Sequence, residues 1–168
     1  PDGILMNNDM DDFSSPDRSN QFGYVPSHPN FIVPGKRPLS SMSPIMVENR
    51  HTGALELIVG SSGGSRIITA NILTTYAYLS HHGQVSMDDV IARPRWHDQL
   101  LPPVTVFEYP GAQTPGFDNA TVRALTAKGH RAAYTAPGLS NAQAIQYMHA
   151  GLWHAASERR QYEARGAA

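Results

Sequence analysis

Three short segments of the sequence gather side chains that could bind or transform a ligand. The first is Asn8-Asp9-Met10-Asp11-Asp12, with three carboxylates in four positions. Carboxylates this close repel one another unless a cation or hydrogen-bond donors stand nearby. The segment suits an ammonium group or a metal ion as partner; it also reads as a solvated turn, and its spacing departs from that of an EF-hand calcium loop. The second is Ser40-Ser41, set between Pro38 and Pro44. Paired hydroxyls on a stiffened loop can donate to a carboxylate, although an ordinary Ser-rich loop has the same composition. The third is Gly60-Ser61-Ser62-Gly63-Gly64, between a predicted strand and a predicted helix. Glycines there let backbone N–H groups approach a ligand, and the helix start adds the positive end of its dipole. An oxyanion hole needs that arrangement, and a plain strand-to-helix turn would look alike. A nucleotide P-loop is disfavoured because no Lys-Ser/Thr follows the glycines. Together the segments supply partners for an ammonium, a carboxylate and an oxyanion. A substrate with an α-amino acid head and a scissile acyl group would use all three.

The elements that must position these loops follow from periodicity. Gly3 to Phe13 reads as a short strand entering the acidic turn. Residues 15–34 form a long irregular stretch with four prolines, whose aromatics Phe22, Tyr24 and Phe31 argue that it packs against something. Ile45-Met46-Val47 and Ala54 to Val59 read as a hairpin. Ser65 to Leu79 reads as a helix with Ile68, Ile72, Tyr76 and Leu79 on one face. A short helix over Met87–Ala92 begins at Ser86 and stops before Pro94. Val104–Tyr109 is a strand, Asp118–Lys128 a helix closed by Gly129, and Ala142–Met148 with Leu152–Ala156 a final hairpin. Consecutive hairpins favour antiparallel sheet, hence a layered α+β domain. The charged segment 157–168 is expected as an exposed tail.

Composition excludes several function classes. The chain has 168 residues, 40% hydrophobic and 16% charged, which suffices for a buried core. Its formal net charge of −1 gives no reason to expect nucleic acid as a partner. There is no cysteine, so disulfides, thiolate metal sites and a cysteine nucleophile are excluded. His81, His82, His97 and His130 lack the i, i+4 spacing of a zinc-protease helix, so no metal site is expected. No apolar run approaches the ~20 residues of a membrane helix. Asn119-Ala120-Thr121 is a glycosylation sequon.

At this point the residues resemble a family. Gly3-Ile4-Leu5-Met6-Asn7-Asn8-Asp9-Met10-Asp11-Asp12-Phe13-Ser14, Pro34-Gly35-Lys36-Arg37-Pro38-Leu39-Ser40-Ser41-Met42-Ser43-Pro44 and Gly60-Ser61-Ser62-Gly63-Gly64-Ser65-Arg66-Ile67-Ile68-Thr69 are similar to signatures of the γ-glutamyltransferases, also called γ-glutamyltranspeptidases or glutathione hydrolases. Pro94 to Pro102 and Ala155 to Arg160 are similar in kind. The matches run in family order over nearly the whole chain and correspond to the C-terminal portion of the small catalytic subunit.

The resemblance implies an N-terminal-nucleophile hydrolase with an αββα sandwich, here lacking the N-terminal strands of the small subunit. It implies a self-cleaving precursor whose new N-terminal threonine attacks a γ-glutamyl amide, with its own α-amine as base and no cofactor. The acyl group then passes to water or to an acceptor amino acid or peptide. By position, the amides of Gly63 and Gly64 would form the oxyanion hole, Ser40 and Ser41 would bind the substrate α-carboxylate, and Asp12 and Asp9 would hold its α-ammonium. Asp9 stands where family members carry Glu or Gln, and the shorter side chain favours a bridging water. Ser62 replaces a Pro or Ala. The threonine and a substrate-binding asparagine are expected upstream of residue 1, and a carboxylate-binding arginine on a large subunit. The chain alone is therefore expected to be inactive. The family implies glutathione as a substrate and an extracytoplasmic location, with any anchor outside this chain. A non-catalytic remnant that keeps the pocket and a β-lactam side-chain acylase of the same fold are the alternatives. Asp12 with Ser40-Ser41 favours an amino acid head over the plain dicarboxylate chain such an acylase would take.

Overall fold

Alternation of apolar residues builds the first hairpin, β1 (Ile45–Glu48) and β2 (Leu55–Ser62). Its turn closes through Asn49, whose side-chain oxygen accepts from the amides of His51 and Thr52, and through Gly53 in the left-handed region at φ 69°. β2 runs three residues past the expected end, to Ser62, so the first part of the glycine segment is paired sheet and only Gly63-Gly64 turns. The final hairpin, β6 (Asn141–Tyr147) and β7 (Trp153–Ala156), joins the first in an antiparallel sheet of order β1-β2-β6-β7.

The computed structural model describes residues 3–112 and 114–161. These fall into two compact units. One runs to Ser40 and takes in Leu100–Pro102; the other holds Ser41–Gln99 and the chain from Pro103 onward.

In the larger unit, α1 (Arg66–Ser80) and α2 (Met87–Ala92) cover one face of the four-stranded sheet. Leu57, Val59, Ala144 and Ala156 from the sheet meet Ala77 and Tyr78 from α1 and Met87, Val90 and Ile91 from α2. Each large side chain buried there contributes about 1.5–3 kcal/mol. The sequence pattern marked one face of α1 correctly, but that face points outward: Ile68, Ile72, Tyr76 and Leu79 are exposed. The buried side is Ala70, Asn71, Thr74, Ala77 and Tyr78. Mostly small side chains let this helix lie close to the sheet, so the larger apolar residues fall on the opposite side.

A second sheet, order β3-β4-β5, comprises β3 (Trp96–His97), β4 (Thr105–Glu108) and β5 (Ala132–Thr135). β4 and β5 pair in parallel across α3 (Asn119–Ala127), outside the antiparallel pairing that the consecutive hairpins favour. β3 and β5, of two and four residues, carry too little pattern to be read in advance. The Asp118 side chain caps α3 by accepting from the Thr121 amide at 3.0 Å, and Gly129 at φ 100° ends it as expected.

In the smaller unit the expected strand at Ile4-Leu5-Met6 is absent. These residues are exposed, Leu5 at 98%, and pair with no strand among the described residues. A strand persists only where a neighbour accepts its ladder, whatever its propensity. Asp9–Asp12 forms a single 3₁₀ turn, and residues 15–34 are irregular apart from a 3₁₀ turn at His28–Asn30 and a bridge between Ser14 and Phe31.

The face of the four-stranded sheet opposite the helices is apolar and open, with Met46 68%, Ile145 40% and Trp153 40% exposed. In isolation the 168-residue chain is therefore expected to bind a polarity-sensitive dye and to self-associate in sedimentation velocity. A monodisperse monomer that melts cooperatively without binding dye would contradict this.

Candidate active site

Asp9, Asp12 and Ser40 lie in the smaller unit, and Ser41, Gly63 and Gly64 in the larger one. In the smaller unit the acidic turn is set by its own backbone: the Asp9 amide donates to Asn7 Oδ1 at 3.1 Å and the Asp11 amide to the Asn8 carbonyl at 2.9 Å. Asp12 lines an open cleft of about 610 Å³, with Asn8, Asp11, Phe13, Ser14 and Arg18, whereas Asp9 is exposed and does not line it. Asn30, which the sequence reading passed over, ties this unit together. Its Nδ2 donates to the Asp12 carbonyl at 2.7 Å and lies 3.3 Å from Ser14 Oγ, while its Oδ1 accepts from the Leu39 amide at 2.9 Å. The acidic turn and the segment ending at the exposed Ser40 thus share one anchor.

In the larger unit, Gly63 and Gly64 make the turn from β2 into α1 with φ of 129° and 60°. Only glycine adopts the first without strain. A Cβ on Gly63 would also sit 2.5 Å from the Leu139 carbonyl oxygen and 2.9 Å from Ser140 Cα, so the loop rests directly on the turn before β6. Both glycine carbonyls accept from the first turn of α1, Gly63 from Arg66 at 3.2 Å and Gly64 from Ile67 at 3.1 Å. Neither glycine N–H donates to a backbone carbonyl among the described residues. The Ser41 hydroxyl donates to the Gly64 carbonyl at 2.8 Å, so Ser41 and the glycine turn are in contact. A hydroxyl has one proton, and Ser41 can give it to Gly64 or to a ligand carboxylate, not to both.

Behind this turn lies a buried ion network. Arg95 Nη1 is 2.7 Å from Glu158 Oε2 and 2.7 Å from the Ser140 carbonyl. Arg160 bridges Glu158 at 2.8 Å and Glu108 at 2.7 Å, and Glu108 and Glu158 accept in turn from the amides of Arg95 and Ala142. The side chains of Glu158 and Arg160 are 0% and 1% exposed, which corrects the expected exposed tail at these two positions, whereas Arg159 and Gln161 are exposed and 162–168 lie outside the described residues. A run such as Ser157-Glu158-Arg159-Arg160 looks like a solvated end because its buried partners are remote in sequence. Burial works against the Glu158 carboxylate, but Arg95, Arg160 and the Ala142 amide outweigh it and hold its pKa below the ordinary 4.5. The two guanidiniums move in opposite directions: burial dominates at Arg95 and lowers it, whereas hydrogen bonds to Glu108 and Glu158 overcome burial at Arg160 and raise it. Both remain charged at neutral pH.

Two of the histidines make side-chain contacts between elements: His97 Nδ1 lies 2.8 Å from Thr69 Oγ1, and His154 Nε2 lies 2.9 Å from Asp88 Oδ2. Asn119 is exposed at the start of α3.

A family profile described as gamma-glutamyltranspeptidase matches residues 1–168. The chain belongs to the γ-glutamyltranspeptidase family. A glutathione hydrolase proenzyme of Arthroderma benhamiae is 39% identical over 158 residues, 94% of this chain and 25% of that protein. The chain thus spans about a quarter of the length of that relative. A crystal structure of a Helicobacter pylori gamma-glutamyltranspeptidase variant superposes with a TM-score of 0.81 at 32% identity, covering 95% of this chain and 83% of that one. A cephalosporin acylase of Bacillus halodurans gives a TM-score of 0.69 at 19% identity over 84% of this chain and 25% of that one, a likeness of fold alone. The architecture is the α+β fold of N-terminal-nucleophile hydrolases, as the resemblance implied.

Glu158→Gln removes one charge from between two buried guanidiniums and is expected to cost about 3–5 kcal/mol in denaturant unfolding. Because the folded Glu158 pKa lies below 4.5, its contribution is complete above that pH and is lost as pH falls through the folded value. The gap between parent and variant should therefore narrow in acid; a gap that stays constant down to pH 2 would refute the assignment. Gly63→Ala meets both the φ penalty and the Leu139 carbonyl and should lower stability by at least about 1–2 kcal/mol, read as a fall in Tm.

Proposed function

We propose that this chain carries the γ-glutamyl pocket and the oxyanion-stabilising turn of a γ-glutamyl hydrolase/transferase that acts on glutathione and γ-glutamyl amides. The observation behind this reading is the Gly63-Gly64 turn, whose N–H groups have no backbone acceptor among the described residues and whose Gly64 carbonyl is held by Ser41. Preorganised amides of this kind stabilise charge where it develops, typically by about 10²–10³ in rate per donor.

Membership of the family supports the following reaction. A threonine hydroxyl, at the N-terminus of the catalytic subunit and outside this chain, attacks the γ-carbonyl carbon while its own α-amine takes the proton. The carbonyl electrons move onto oxygen, and the amides of Gly63 and Gly64 receive that oxyanion. Collapse breaks the C–N bond, and the protonated α-amine returns its proton to the leaving amine. Water or an acceptor amino acid or peptide then attacks the acyl-enzyme by the same route. Asp12 holds the α-ammonium from its cleft, with residues 15–34 on the substrate side. Asp9, exposed and one methylene short of Glu, acts through water. Ser40 and Ser41 receive the α-carboxylate, and Ser41 swings its proton from Gly64 to the substrate. A large subunit of the same precursor completes the pocket. The protein works outside the cytoplasm; among the described residues no helix is long and apolar enough to cross a membrane.

The test is release of p-nitroaniline from γ-glutamyl-p-nitroanilide by the 168-residue chain and by the protein expressed from its full reading frame. Turnover is expected only from the latter, and faster than cleavage of a glutaryl anilide, which the acylase alternative would prefer. Turnover by neither would leave the non-catalytic remnant as the better reading. In the active protein, Asp12→Asn should raise KM about 10–100-fold, the worth of a charge-assisted hydrogen bond, with Tm nearly unchanged.

A further inference from the structure

Asn71 is the one side-chain amide on the inner side of α1, where Thr74 is the other strongly buried polar residue. It is 1% exposed, between Ala70 and the inward-facing Thr74 and Ala77. Its Oδ1 accepts from the Ser61 hydroxyl at 2.5 Å. Its Nδ2 donates to the Ser43 carbonyl at 2.6 Å and lies 3.3 Å from Ser43 Oγ. Ser61 precedes Gly63-Gly64 by two residues, and Ser43 follows Ser41 by two. One buried carboxamide therefore ties the end of β2, which leads into the Gly63-Gly64 turn, to the segment that follows Ser41, and the Ser41 hydroxyl on the Gly64 carbonyl closes the ring at its far side.

Stability alone gives little reason for this choice. A buried amide is costly unless fully bonded, and an apolar side chain of similar shape would pack on the sheet nearly as well. What an apolar residue would not do is fix the separation of the two loops. We infer that Asn71 is a positioning residue that sets the distance between the carboxylate-binding Ser41 and the oxyanion amides of Gly63 and Gly64. This rests on the γ-glutamyl reading for the roles of the loops, but the clamp itself does not depend on it.

The two ends of the clamp make separable contributions. Ser61→Ala releases only the end of β2 that leads into the glycine turn, so kcat should fall while KM stays within about twofold. Asn71→Ala frees both loops, so kcat should fall and KM rise, together lowering kcat/KM by about tenfold or more, in keeping with the rate cost of a displaced catalytic group. Val122→Ala, a truncation of a buried side chain in α3, the helix between β4 and β5, serves as the structural control: it should lower Tm and leave both constants unchanged.

The experiment measures γ-glutamyl-p-nitroanilide kinetics of these three variants and the parent, all from the full reading frame, together with amide hydrogen exchange by mass spectrometry. Faster exchange over both 41–43 and 61–64 in Asn71→Ala but not in Val122→Ala, with the kinetic split above, supports the inference. Unchanged exchange in those segments overturns the clamp. Faster exchange with unaltered kcat and KM overturns its role in positioning. Faster exchange in a protein whose parent has no turnover upholds the clamp and sinks the γ-glutamyl reading instead.

Discussion

Four charged side chains organise the larger unit. Arg95, Glu158, Arg160 and Glu108 are almost withdrawn from water and alternate in sign, so each carboxylate faces a guanidinium. Desolvating four charges costs several kcal/mol apiece, and the arrangement is tolerable only because nearly every donor and acceptor is met. The partners that meet them belong to different elements. Arg160 donates to the carbonyls of Ile91 and Arg93 at the end of α2, Arg95 donates to Ser140, and Glu158 accepts from the Ala142 amide in β6. The network joins the two sheets of this unit electrostatically, where the apolar core of Leu57, Val59, Met87 and Ile91 joins helices to only one of them.

The candidate site inherits its order from that network. Gly63 cannot move toward β6 because Leu139 and Ser140 already occupy the space, and Ser140 is held by Arg95. The chain of cause runs from a C-terminal charge pair to a backbone amide far away in sequence. On the other side of the turn, Ser41 and Asn71 supply hydrogen bonds whose partners are backbone carbonyls or small hydroxyls. Asn30 does the same within the smaller unit. Asparagine suits such duty because one side chain both gives and accepts.

The sequence made much of this legible, for reasons that differ by element. Hairpins β1–β2 and β6–β7 were readable because each has an apolar pattern bounded by a turn residue, Gly53 or Gly151. The extent of α3 was readable from Asp118 and Gly129, which act locally. The glycine turn stood out by composition, and it is in contact with Ser41. The failures share one cause: their determinants are distant in sequence. Nothing near Ile4-Leu5-Met6 tells whether a partner strand is present. Nothing in Ile68, Ile72 and Tyr76 tells that α1 would turn its small residues inward. Glu158 and Arg160 look solvated until Arg95 and Glu108 are placed beside them. Asn30 and Asn71 carry no motif at all, because a buried amide is recognised only by what it holds.

The crowding at Gly63 limits how this turn can be varied by design. With φ at 129° and a carbonyl oxygen where a Cβ would go, the position admits no side chain, so the turn cannot be tuned from within. Ser62 is exposed at the end of β2. The remaining adjustable part is the opposing wall, Leu139 and Ser140. A protein engineer seeking a different reach or tilt of the Gly63 and Gly64 amides would leave the glycines alone and rebuild the turn they lean on, in much the way a bearing is adjusted by shimming its seat.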